Sequence, residues 1–144
     1  MLHGNSLTLI GWRLQRQAHK GDSVKLVTGI DLLEIDRLQD AVSRQGERFL
    51  QRIFTNRELE ENVKKTESLA GRFAAKEAVA KALGCGIGDV AWKEIEILRT
   101  DIGAPQLVLH GAAAVIAKKL GIENWSISIS HTKSCAIAMA VGSA

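Results

Sequence analysis

Glu77 and Lys81 stand four residues apart in the run Ser68 to Leu83. At about 100° per residue they share one side of a helix with Ala70, Ala74 and Ala78. Neighbours this short leave a carboxylate and an ammonium clear of the helix, where a ligand, a metal or a second backbone can come close. A plainer use of the spacing is a helix-stabilising i, i+4 ion pair. Asp31 supplies another carboxylate, at the end of the β-rich run Val24 to Ile30. Two carboxylates from distant stretches, with no histidine or cysteine beside either, suit a hard cation with oxygen ligands, Mg2+ better than Zn2+. Mg2+ keeps waters and draws further ligands from substrate phosphates, so two protein carboxylates are enough, and phosphoryl transfer is the chemistry that follows. Asp31-x-x-Glu34 is also an acceptable capping box, and one oxygen of Asp31 can cap while the other binds.

His131 closes the alternating run that starts at Trp125, on the side of Ile127 and Ile129, where a lone histidine serves equally as an edge-of-core residue. Gly84-Cys85-Gly86-Ile87-Gly88 suits a tight turn, a connector or a backbone that approaches a ligand. Arg44, Arg48 and Arg52 recur every four residues, with Arg37 two turns earlier. They make one basic stripe if the segment stays helical, or a solvated face neutralised by Glu34, Asp36, Asp40 and Glu47.

The elements that must position these groups follow from periodicity and caps. The first strand is expected to pass into a helix at Asp31, since Leu33, Ile35, Leu38 and Val42 recur at helical spacing. Gly46 breaks or bends that helix, Thr55-x-x-Glu58 caps a short one, and Glu60 to Glu67 forms a loop or frayed helix. Ser68 caps the central helix and Gly84 stops it. A hairpin of Lys93–Arg99 with Gln106–His110, a short helix from Ala112 to Leu120, and a hairpin of Trp125–His131 with Cys135–Val141 complete the chain. The order is that of an α+β domain with a long central helix.

At 144 residues the chain reads as one domain, and no apolar run is long enough to span a membrane. A net charge of +3 calls for an anionic partner, while three tryptophans, three phenylalanines and no tyrosine argue against a base-stacking nucleic-acid surface. Two cysteines outside any CxxC point to a reducing, cytoplasmic setting. Residues 1–23 lack core periodicity and read as a mobile or weakly helical extension, with organellar targeting as the alternative; the domain proper spans 24–144.

The string Phe73-x-x-Lys76-Glu77-Ala78-x-x-Lys81 resembles the signature of the 4′-phosphopantetheinyl transferases, in particular the small holo-acyl-carrier-protein synthases. Gly29-Ile30-Asp31, Phe54-Thr55-x-x-Glu58, Arg72-Phe73-Ala74-Ala75, Gly103-x-Pro105, Leu107-x-Leu109-x-Gly111-x-Ala113 and Ser128-Ile129-Ser130-His131 are similar to that family in the same order, from about Leu26 to Val141. In the family the Gly-x-Asp element follows closely on a start methionine, whereas here residues 1–23 precede the domain.

The resemblance implies the family's fold, with an antiparallel sheet, a long central helix and a homotrimer that binds coenzyme A between subunits. Coenzyme A would donate 4′-phosphopantetheine to a serine of an acyl carrier protein, releasing adenosine 3′,5′-bisphosphate, as a step of fatty acid biosynthesis. Asp31 and Glu77 would hold Mg2+, and Lys81 would hold the pyrophosphate as a point charge. His131 would lie near the coenzyme phosphates, with Arg72 and Lys133 as further phosphate ligands. Glu77, or a metal-bound water that it orients, would take the serine's proton. The carrier would dock on the stripe of Arg37, Arg44 and Arg48. Two readings compete: a non-catalytic basic module for an acidic protein, with Glu77–Lys81 a structural pair, and a Mg2+-dependent nucleotide phosphohydrolase using the same carboxylates.

Overall fold

The computed structural model describes residues 24–62 and 65–144; the expected extension over residues 1–23 lies outside them. Strand β1 (Leu26–Glu34) pairs antiparallel with β5 (Cys135–Ser143), and β5 with β4 (Asn124–His131), giving a sheet in the order β1-β5-β4. The register sets Asp31 opposite Ala138 and Glu34 opposite Cys135. This corrects the expected strand–helix boundary, because pairing with β5 carries the strand three residues beyond Asp31. Helix α1 (Ile35–Gln45) therefore starts after Glu34, which makes no side-chain cap, and the Asp31-x-x-Glu34 box does not form.

Gly46, at φ 61°, ends α1 and separates it from α2 (Glu47–Ile53). Arg37 and Arg44 thus belong to one helix and Arg48 to another, so the continuous stripe that an unbroken helix would have made is not formed. The capping box of α3 (Asn56–Glu61) is complete: Glu58 N donates to Thr55 Oγ1, and Thr55 N donates to Glu58 Oε2.

The central helix α4 (Thr66–Ala82) begins two residues before Ser68. Ser68 does not cap it, because its hydroxyl is engaged elsewhere, donating to Asn62 Oδ1 and accepting from Arg72 Nη1. The other end is as expected. Gly84 sits at φ 72°, Gly84 N bonds Lys81 O and Cys85 N bonds Ala80 O, the paired bonds of a Schellman motif. Ala70, Ala74, Ala75, Ala78, Val79, Ala80 and Ala82 are all buried, and so are Arg72 and Lys76, so α4 is an interior helix, enclosed over most of its circumference. Strands β2 (Ile95–Arg99) and β3 (Pro105–Leu109) form the first expected hairpin, and Gly121 at φ 70° terminates α5 (Gly111–Leu120).

Small residues let α4 lie close on the sheet. A Cβ added to Gly29 would stand 1.8 Å from Ala78 O and 2.8 Å from Ala82 N, and one on Gly71 would stand 2.7 Å from Ile129 Cγ2. The N-terminal half of α4 therefore crosses β4 and its C-terminal half crosses β1. Ala136, Ala138 and Ala140 of β5 are buried beneath it. The larger residues of β5 face outward: Ile137 and Met139 pair across from Leu32 and Ile30, and the four are 39, 46, 63 and 55% exposed. No helix among the described residues is long and apolar enough to cross a membrane.

Candidate active site

Alternation along β1 puts Asp31 on the same side as Gly29, facing α4. Since Gly29 admits the backbone of Ala78 and Ala82, Lys81 reaches across to donate to Asp31 Oδ1 at 2.9 Å and to Ile30 O at 2.9 Å. Burial pushes the Asp31 carboxyl above its ordinary value, with the bond and charge of Lys81 acting against it. Glu77 is also pushed up, first by burial and then by the negative charge of Asp31, with Lys81 opposing. The three residues singled out for chemistry thus share one site, and among the described residues no hydrogen bond engages the Glu77 carboxylate.

That donor set fits Mg2+. Its groups are two half-buried carboxylates, both costly to ionise because of burial and Glu77 further so because of the charge on Asp31, a cost that a cation would relieve, and neither sulfur nor imidazole accompanies them. Among the described residues no cluster of three or more Asp, Glu, His or Cys converges, so most of a shell would be water and phosphate oxygen, as Mg2+ prefers.

His131 and Arg72 meet in a second place, a cleft of about 200 Å³ shared with Ser68, Arg99, Gly103 and Pro105. Arg72 is only 4% exposed and its guanidinium is already engaged: Nε donates to Ile97 O at 3.0 Å, Nη1 to Ser68 Oγ at 2.9 Å, and Nη2 to Glu61 Oε2 at 3.0 Å. Burial lowers its pKa while Glu61 opposes the change. Arg99 was not singled out from the sequence, yet it is the exposed guanidinium here, donating to Ser68 Oγ at 3.3 Å. Its place at the exposed end of an otherwise buried strand, four residues before Gly103, was the available signal. Lys133 lies exposed in the β4–β5 turn, which Thr132 Oγ1 closes by accepting from Ser134 N and Cys135 N, and no hydrogen bond or ion pair joins it to either cluster.

The two clusters flank α4. Asp31 pairs with Ala138 and His131 with Ala136, on strands either side of β5, so their Cα atoms stand about 12 Å apart at ~4.8 Å per strand and ~3.3 Å per residue. Arg72 and Lys81 lie nine residues apart, about half a turn different in direction. A larger groove of about 330 Å³, lined by Leu107, Leu109, Ala117 and Trp125, holds none of these groups.

Sequence reasoning missed the role of Lys76. Fully buried, it pairs with the equally buried Glu58 at 2.8 Å and donates to Trp92 O at 3.0 Å and Ile95 O at 2.5 Å. Burial lowers the pKa of Lys76, and the charge of Glu58 opposes this. The capping box had accounted for Glu58, and nothing local announces that the same carboxylate also meets a lysine eighteen residues on.

Fold and site together define a class: a small α+β domain whose sheet carboxylate faces a carboxylate and an ammonium on its central helix, suited to phosphoryl transfer. The model of the 4′-phosphopantetheinyl transferase superfamily matches residues 28–139. A holo-[acyl-carrier-protein] synthase of Herpetosiphon aurantiacus is 51% identical over 124 residues, covering 81% of this chain and 98% of its own. The crystal structure of the Helicobacter pylori holo-[acyl-carrier-protein] synthase in complex with coenzyme A superimposes with a TM-score of 0.73 at 34% identity, over 80% of this chain and 98% of that one. That of Bacillus anthracis in complex with CoA (3′,5′-ADP) gives 0.68 at 33% identity, over 84 and 98%. The chain belongs to the 4′-phosphopantetheinyl transferase superfamily and, within it, to the holo-[acyl-carrier-protein] synthases; it is an enzyme of that kind.

Proposed function

We propose that this chain transfers 4′-phosphopantetheine from coenzyme A to a serine of an apo acyl carrier protein, in a Mg2+-dependent reaction that releases adenosine 3′,5′-bisphosphate and supplies fatty acid biosynthesis. The observation that carries it is the meeting of Asp31, Glu77 and Lys81 across the β1–α4 contact. Mg2+ held by Asp31 and Glu77 would neutralise charge on the pyrophosphate. Lys81 spends two of its three N–H groups on Ile30 and Asp31, leaving one to bind a pyrophosphate oxygen. The serine oxygen forms a bond to the β-phosphorus while the bond from that phosphorus to the bridging oxygen breaks. The serine's proton would pass to Glu77, or to a metal-bound water that Glu77 orients.

Arg99 and His131 would face the coenzyme's remaining phosphate at the second cleft. Arg72 forms its floor, and Lys133 lies one turn away. Because the two clusters flank α4, one coenzyme fits them best between neighbouring chains, and the exposed Ile30, Leu32, Ile137 and Met139 supply an apolar face for a homotrimer. The carrier's acidic helix would dock on Arg37, Arg44 and Arg48, all exposed. Free thiols at Cys85 and Cys135 support a cytoplasmic setting.

Incubation with coenzyme A, Mg2+ and apo carrier tests this by mass spectrometry. A phosphopantetheine gained by the carrier is expected; coenzyme hydrolysis alone would mean a phosphohydrolase, and no turnover a binding module.

A further inference from the structure

Strand β2 pairs with β3 along one edge only. Its other edge offers main-chain groups at Ile95, Ile97 and Arg99, and side chains of α3 and α4 take them in turn. Ile95 O accepts from Lys76 Nζ at 2.5 Å, Ile97 N donates to Glu58 Oε1 at 2.8 Å, Ile97 O accepts from Arg72 Nε at 3.0 Å, and Arg99 N donates to Glu61 Oε1 at 3.4 Å. The spacing explains how two helices replace a strand. Arg72 and Lys76 are four residues apart, about 6 Å along the helix axis, while Ile97 and Ile95 are two apart, about 6.7 Å along the strand.

Lys76 is the best-anchored rung. Its ammonium has three hydrogens and three partners: Trp92 O, Ile95 O and Glu58 Oε2. Glu58 is held by Thr55 N on one oxygen and Ile97 N on the other. Lys76 and Glu58 both have fully buried side chains. A buried pair of this kind adds little net stability over apolar residues of the same volume, whereas its directional bonds fix one arrangement. The arrangement fixed here is the rotation of α4 about its own axis, at the residue immediately before Glu77.

We propose that Lys76, bonded through Glu58 to β2, is a positioning residue for transfer: it holds α4 in the rotation that sets Glu77 opposite Asp31. The inference rests on the proposed role of Glu77. With side-chain atoms about 5 Å from the helix axis, a 20° rotation moves the Glu77 carboxylate by roughly 2 Å. Misplacement of about 1 Å at a reacting group can cost on the order of 10²-fold in rate.

The test uses the full chain carrying Lys76→Met and Glu58→Gln together, which keeps volume and leaves no unpaired buried charge. Four quantities are measured: melting temperature, kcat, KM for coenzyme A, and Mn2+ affinity by calorimetry without substrate. Ile122→Ala, a core truncation at the far end of the sheet, serves as the stability control. Expected are a kcat at least tenfold lower and Mn2+ affinity at least fivefold weaker, with KM for coenzyme A within twofold; Ile122→Ala should melt earlier yet keep kcat and Mn2+ affinity. Unchanged kcat and Mn2+ affinity in the folded double variant would overturn the proposal, as would losses no larger than those of Ile122→Ala. Should the double variant not fold, Glu58→Gln alone, which keeps the carboxylate's shape, is held to the same two outcomes. The Mn2+ readout does not need turnover, so failure of the inference stays distinct from failure of the transferase reading.

Discussion

Glu77 is placed where its charge is costly. Its pKa and that of Asp31 are both raised in the folded chain, which therefore holds their protons more tightly than the unfolded chain does. The stabilising contribution of such groups is complete below their ordinary values of 3.8 and 4.5 and is lost as pH rises through the folded values. At neutral pH the charge on both carboxylates therefore costs stability, as it would at a site that binds a cation. Glu77→Gln should abolish Mg2+-dependent transfer and yet melt about 2 °C or more above the parent at pH 7. The gain should shrink toward zero near pH 4. Thermal melts across that range check the sign: a Gln variant less stable than the parent at pH 7 would mean that Glu77 serves the fold.

At the scale of elements, the contact that makes the site is the close approach of α4 to β1. Gly29→Ala would put a methyl group into Ala78 O, and with backbone on both sides the helix must move away. Lys81 would then lose Asp31, and kcat should fall on the order of 10²-fold. Gly46→Ala meets no atom within 4 Å; it strains a backbone conformation open to glycine almost alone, at a cost of about 1–3 kcal/mol, and should leave kcat unchanged. Equal losses in the two variants would show that Gly29 matters for stability alone. The arginines of α1 and α2 should act on encounter: Arg44→Glu with Arg48→Glu is expected to raise KM for the carrier several-fold, blunt its salt dependence and spare coenzyme binding. Unchanged carrier kinetics would make them a solubilising face.

What the sequence showed at this scale was whatever a local signal determines. The Thr55–Glu58 box, the breaks at Gly46 and Gly84, and the facing of Glu77 and Lys81 each depend on a few neighbouring residues, and each is found in the structure. Asp31-x-x-Glu34 carried an equally good local signal that failed, because nine residues of β5, a hundred positions away, hold β1 extended through Glu34. Ser68 failed as a cap for a related reason, since Asn62 and Arg72 compete for its hydroxyl. Lys76 carries no local signal of its burial, because the residues that enclose it come from α3, β2 and the turn at Trp92.

For the whole molecule, the outward face of the sheet and the division of the site by α4 point the same way. Ile30, Leu32, Ile137 and Met139 form a contiguous apolar patch that a monomer would leave in water, and a threefold assembly would bury three such patches together. If each coenzyme then lies between chains, one subunit supplies Asp31 and Glu77 while its neighbour supplies His131 and Arg99. Two inactive variants should therefore rescue one another. Asp31→Asn keeps the His131 cleft, His131→Ala keeps the carboxylates, and in randomly mixed trimers about one site in four joins the two intact halves. Unfolding and refolding an equimolar mixture should recover about a quarter of the parent's activity, whereas each variant refolded alone stays inactive. Leu32→Glu with Met139→Glu should reduce the mass seen by light scattering to that of one chain and abolish the rescue. If the mixture stays inactive while scattering still reports a trimer, the site belongs to a single chain and the apolar face serves assembly only.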